Sequence, residues 1–140
     1  MTLVIDAKNL LVGRMATRVA KAALLGEDVH IVNCDHAVLS GDRWFTMHKF
    51  KNRADRGNPA VGPWIPKQSH RLVKRIIRGM LPYKNANGKA AYARIRCYVG
   101  VPDAMKDQKF ETFADAQLSK LQILKYVSIK DIIAHLGGKQ

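Results

Sequence analysis

Apolar positions recur along this chain with two different periods. Leu3 to Ile5 form a short, partly β-branched run closed by Asp6, and this pattern predicts a buried strand. After a turn at residues 7–13 the spacing becomes helical from Arg14 to Leu25. Met15, Val19 and Ala22 share one face, Arg14, Arg18 and Lys21 share another, and Gly26 supplies a stop. Val29 to Asn33 reads as a second strand, and Ala37 to Leu39 as a third or as its continuation past a bend. Strand, helix and strand at this spacing make a βαβ unit, which favours a parallel sheet covered by helices.

Ser40-Gly41-Asp42 is a turn whose Ser and Asp side chains can cap a following helix, predicted from Arg43 to Arg53. The texture then changes. Gly57-Asn58-Pro59, Gly62-Pro63 and Ile65-Pro66 mark residues 54–67 as a long irregular loop, and Trp64 within it argues for an ordered segment. Ser69 to Met80 is the clearest helix: Leu72, Val73, Ile76, Ile77 and Met80 fill one arc, and Arg71, Lys74, Arg75 and Arg78 the opposite one. Four cations with no acid at i+4 repel one another by a few tenths of a kcal/mol. A solvated face mixes signs, so this one is built for an external anion. Lys84 to Lys89 reads as a polar turn, Ala90 to Ala93 as one helical turn, and Ile95 to Val99 as a strand closed by Gly100-Val101-Pro102. Thr112 to Leu118 suggests a short helix and Lys125 to Val127 an extended piece. Ser128 to Leu136 is a final amphipathic helix, with Ser128 and Asp131 at capping-box spacing. With no repeat, low-complexity segment or linker, residues 1–140 are expected to form one domain.

Charge changes the picture. Residues 43–96 hold 14 Lys or Arg and one acid, Asp55, whereas the remainder holds 10 of each sign. The whole +13 therefore lies in a basic loop-and-helix region, and such a field attracts a polyanion. Trp44, Phe45 and Phe50 sit at helical spacing and are expected in the core. Trp64 and Tyr83, in Pro- and Gly-flanked loops, are candidates for stacking on bases. A composition 47% hydrophobic and 25% charged belongs to a folded domain and not to a disordered basic tail. No apolar run reaches the ~18 residues of a membrane span, and the N-terminus lacks a signal-peptide layout, so a soluble intracellular protein is expected. Cys34 and Cys97 lie in apolar, strand-like runs and read as buried hydrophobes.

The enzymatic alternative rests on Asp6, Asp35 and Asp42, each of which follows a strand-like run. Converging, they would hold Mg²⁺ for chemistry on nucleic acid. As turn and cap residues they need no metal. The first βα turn carries Gly13 alone, without a dinucleotide or phosphate-loop motif. His30, His36, His48, His70 and His135 form no catalytic pattern; His48 and His70, in the basic region, are extra candidates for RNA contact. A DNA-binding or translational-regulatory module using the same basic helix is a third reading.

Ile77-Arg78-Gly79-Met80-Leu81-Pro82, five residues, Gly88-Lys89, five residues, then Ile95-Arg96-Cys97-Tyr98-Val99-Gly100 resembles the signature of the ribosomal large-subunit protein family numbered thirteen in the universal scheme. Val4-Ile5-Asp6-Ala7, Gly13-Arg14-Met15-Ala16 and Val38-Leu39-Ser40-Gly41-Asp42 extend the likeness over nearly the whole chain. The 57–66 loop and the run into Pro82 look more like archaeal and eukaryotic members than bacterial ones, and without the long C-terminal helical extension typical of eukaryotic members an archaeal form fits best. The resemblance implies a three-layer α/β/α fold around a mostly parallel central sheet, without enzymatic activity, cofactor or metal. It also implies a cytoplasmic place in the large subunit, binding to large-subunit ribosomal RNA, neighbouring ribosomal proteins as partners and a part in assembly. No membrane or small-molecule substrate is expected. The contact residues come from the charge map instead: Lys49, Lys51, Arg53, Arg56, Trp64, Lys67, Arg71, Lys74, Arg75, Arg78, Tyr83, Lys84, Asn85, Asn87, Lys89 and Arg94.

Overall fold

The β-branched runs and the helix between them fold as the expected βαβ unit. A computed structural model describes residues 2–138. Along the chain the elements are β1 (Thr2–Asp6), α1 (Val12–Leu24), β2 (Asp28–Val32), β3 (Val38–Ser40) and α2 (Arg43–Asp55), then α3 (Ser69–Arg78), α4 (Ala86–Arg94), β4 (Ile95–Cys97), β5 (Tyr126–Ser128) and α5 (Ile129–His135). The order β1-β2-β4 makes a parallel sheet, with Ile5 opposite Ile31 and Val29 opposite Ile95. The protein is thus an α/β fold in which helices pack around a parallel sheet.

Strand alternation explains where the core lies. Ile5, Val29, Ile31 and Ile95 share one face of the sheet and are fully buried. They join one cluster with Met15 and Val19 of α1, Leu72, Val73 and Ile77 of α3, and Ile132 and Ile133 of α5. On the other face Val4 and Val32 are buried, while Thr2, Asp28, His30 and Arg96 are not.

Several local expectations need correction. Val38 to Ser40 neither continues β2 nor joins the parallel sheet; it pairs antiparallel with β5. A 3₁₀ turn, Cys34–His36, of which Cys34 is buried, separates it from β2, starting from Asn33 in the left-handed region. The polar turn assigned to Lys84–Lys89 is already helical from Ala86, so α4 spans nine residues where one turn was expected. Asn85, Asn87 and Gly88 read as turn chemistry, but Gly88 is there for space: a Cβ on it would lie 2.0 Å from the Pro82 carbonyl oxygen. Thr112 to Leu118 holds two short 3₁₀ turns, Ala114–Ala116 and Leu118–Lys120, in place of a helix. Met80 lies past the end of α3 and is exposed. The two predicted caps are present. Asp42 accepts the Phe45 N–H at 3.2 Å, and Ser128 Oγ accepts the Asp131 N–H at 3.1 Å.

The glycines give a test. Gly13, in α1, has open space where a Cβ would go. Gly13→Ala should therefore stabilise the fold by about 0.4–1 kcal/mol, mainly by restricting the unfolded chain. Gly88→Ala should reverse that sign and destabilise by about 1–3 kcal/mol, because backbone must shift to admit the methyl. Urea midpoints of the two variants check the opposition.

Candidate nucleic-acid interface

The irregular loop holds its shape through its own polar groups. Ala60 N–H donates to Asn58 Oδ1 at 2.8 Å, and Trp64 Nε1 donates to the Pro59 carbonyl at 3.3 Å. From α3, Arg75 Nη1 reaches the Trp64 carbonyl oxygen at 2.8 Å and ties the loop to the helix. Loop, α2 and α3 then border a cleft of about 370 Å³. Phe50, Ile65, Leu72 and Ile76 give it an apolar lining, and Arg53, Arg75, Arg78 and Tyr83 supply its polar and planar groups. No acid lines it.

A second cleft of about 270 Å³ lies along α2, between Phe45, His48, Lys49, Asn52, Arg53 and Arg56. Arg53 lines both. Five cations from two segments, Lys49, Arg53 and Arg56 of α2 and its end and Arg75 and Arg78 of α3, thus border two clefts that no carboxylate lines. Guanidinium groups present fixed forks of N–H donors that suit phosphate oxygens.

The cations of α3 are less free than the helical wheel implied. Only Arg71 is fully exposed. Lys74 Nζ sits 4.5 Å from the centre of the Tyr92 ring, and the Arg78 guanidinium 4.9 Å from that of Tyr83. With the Arg75 bond to Trp64, these contacts hold three charges in set positions. Tyr83 and Trp64 remain 41% and 65% exposed, so each keeps a ring surface available for stacking.

Elsewhere the predicted residues are dispersed. Lys51 lies 3.2 Å from Asp55 and is partly spent on it. Lys67 is exposed just before α3, and Lys84 and Asn85 just before α4. Asn87 and Lys89 are exposed in the first turn of α4 and line neither cleft. Arg94 is placed apart: its Nη1 donates to the Ala23 carbonyl at 3.3 Å, at the C-terminal end of α1 where unpaired carbonyls favour a cation.

Sequence reasoning mislocated two aromatics. Trp44 and Phe45 are 70% and 63% exposed and do not belong to the core. On α2 the inward positions are Thr46, Met47, Phe50 and Ala54, one arc at helical spacing. Apolar side chains occur all round this helix, so hydrophobicity alone did not reveal which arc faces in.

The carboxylates make no metal site. Asp6 Oδ1 accepts the Asn33 amide at 2.9 Å and the Lys8 N–H at 3.0 Å, Asp42 caps α2, and Asp35 Oδ2 lies 3.3 Å from His36 Nε2. Among the described residues no three His, Cys, Asp or Glu side chains gather as a metal-holding group. Asp6, Asp35 and Asp42 are each engaged by different partners and do not gather as the metal-holding group that the magnesium-enzyme reading required. Cys34 is buried, and a hydrogen bond donated by its thiol to Cys97, together with burial, pushes its pKa up, away from a reactive thiolate. No helix among the described residues is long and apolar enough to cross a membrane.

A family model described as Ribosomal protein L13 matches residues 1–104. The chain is similar to the large ribosomal subunit protein uL13 of Methanosarcina barkeri, 44% identical over 97% of the chain and 98% of that protein. The uL13 of Methanococcoides burtonii is 43% identical over 97% and 98% respectively. That of Archaeoglobus fulgidus is 38% identical over 96% and 86%.

Two histidines give a pH test. Burial, then Arg96, lowers the His30 pKa below its ordinary 6.5, against a smaller opposing pull from Asp28; burial and Arg71 lower that of His70. With folded values below unfolded ones, their contribution to stability is present above the unfolded pKa and is lost as pH falls through the folded pKa. Imidazole resonances of His30 and His70 should titrate below 6.5, and the urea midpoint should fall between about pH 7 and about pH 5. Replacing both by Asn should flatten that decline.

Proposed function

The chain belongs to the ribosomal protein L13 family, that of archaeal-type large-subunit protein uL13, and from that premise we propose that it docks onto large-subunit ribosomal RNA through the 43–96 surface and supports subunit assembly. Proteins of this family are structural parts of the ribosome and not enzymes. The chain is accordingly a component of the large subunit of the cytoplasmic ribosome, a ribonucleoprotein particle. The geometry of the clefts supports a choice of the groups that would meet the RNA.

The carrying observation is the acid-free pair of clefts shared by Arg53. Arg53, Arg71, Arg75 and Arg78, with Lys49 and Arg56, would neutralise phosphates of folded RNA, and release of condensed counterions would drive association. Lys67, Lys74, Lys84 and Lys89 would widen the footprint, while Lys51, Asn85, Asn87, Trp64 and Tyr83 would add polar and stacking contacts at its margin. Arg94 would contribute mainly through α1. The parallel sheet serves as scaffold, and neighbouring large-subunit proteins would meet the remaining surface.

Binding to fragments of large-subunit RNA across a salt series tests this reading. Tight, fragment-selective binding should weaken steeply with salt, and Arg53→Gln and Arg71→Gln should each lower the log–log slope by about 1 without changing the melting temperature. Arg94→Gln should do the reverse, lowering thermal stability while leaving the slope nearly intact. Equal affinity for duplex DNA of the same length would contradict the proposal and favour a generic basic module.

A further inference from the structure

The outward arc of α2 carries groups that electrostatic docking leaves unused. Trp44 and Phe45 are among the most exposed large apolar side chains of the described residues. Hydrophobic area of this kind on a folded domain marks a contact surface. The Trp44 and His48 rings are parallel, 8° apart with centroids 5.0 Å from each other, so the indole is held flat by its i+4 neighbour. Phe45 and His48 then border the smaller cleft beside Lys49, Asn52, Arg53 and Arg56. Asp55, the one acid in this helix, is taken up by Lys51.

We propose that this arc is a stacking site for unpaired nucleobases of RNA, resting on the ribosomal-RNA reading above and specifying the kind of RNA element it takes. A duplex offers phosphates and sugars but keeps its base faces covered, so exposed rings would gain little from it. An extruded base presents a π-face to Trp44 or Phe45, its phosphates fall within reach of Lys49, Arg53 and Arg56, and the Asn52 amide can bond a base edge. A protein partner would need acidic groups to match these cations; a looped-out RNA strand brings apolar rings and anions together.

The test uses the full chain and a large-subunit RNA fragment that the unaltered chain binds. Trp44→Ala removes an exposed side chain and should leave folding intact. It should weaken binding about tenfold, with the salt slope unchanged because no phosphate contact is lost, and Trp44→Phe should restore most of the affinity. In a Trp64→Phe chain Trp44 is the sole tryptophan. Its fluorescence should be quenched by RNA with unpaired loops and not by fully paired RNA of equal length. If the unaltered chain binds while Trp44→Ala binds equally well, or quenching is the same with both RNAs, the stacking site is overturned and the arc belongs to a neighbouring protein. If the unaltered chain fails to bind any fragment, the ribosomal-RNA reading falls and the stacking site with it.

Discussion

Burial of Leu72, Val73 and Ile77 against α1 and β4 sets the rotation of α3, and the placement of positive charge follows from it. Fully burying each such side chain is worth about 1.5–3 kcal/mol. Repulsion among the cations on the other arc costs only a few tenths of a kcal/mol per pair. The apolar term wins by an order of magnitude, so the helix seats its hydrophobic side and carries its charges outward. Once α3 is seated, Arg75 can hold the Trp64 carbonyl, the loop closes against α2, and the larger cleft has its walls.

Local contacts then turn a loose charge cluster into positioned groups. Lys74 rests over Tyr92 and Arg78 over Tyr83. Each contact is weak beside a buried aliphatic side chain, but it removes rotamer freedom that the proposed RNA contact would otherwise have to quench. Few acids meet the basic stretch: Asp55 pairs with Lys51 and Asp131 with Arg43. Asp42 caps α2, Asp115 pairs with Arg18, and Asp6 braces the turn after β2. Long-range attraction and short-range geometry are thus supplied by different parts of one sequence.

The βαβ unit, the amphipathic α3, the two side-chain caps and the segregated charge were legible because each rests on a local period or a short spacing. The failures share a cause. Gly88 looks like a turn residue, yet its role is to admit the Pro82 carbonyl, a contact set by tertiary packing. Ala37 to Leu39 read as a third strand or a continuation of β2, and the strand is there, but its pairing was not legible because its partner, β5, lies some ninety residues along the chain. Trp44 and Phe45 looked like core because hydrophobicity on α2 does not distinguish its inner arc from its outer one. Metal chemistry from Asp6, Asp35 and Asp42 required a convergence that chain order could not establish. Arg94 carries the same charge as its neighbours, and only the structure shows it turned toward α1.

In the proposed docking, the basic 43–96 surface, and not the charge-balanced remainder, faces RNA in the large subunit. Lysine acetylation read by mass spectrometry, free and bound to large-subunit ribosomal RNA, addresses this residue by residue. Lys49, Lys67, Lys84 and Lys89 should react in the free chain and be protected in the complex, while Lys8, Lys106, Lys109 and Lys120 should react in both. Protection spread evenly over both groups, or concentrated on the second, would contradict the account.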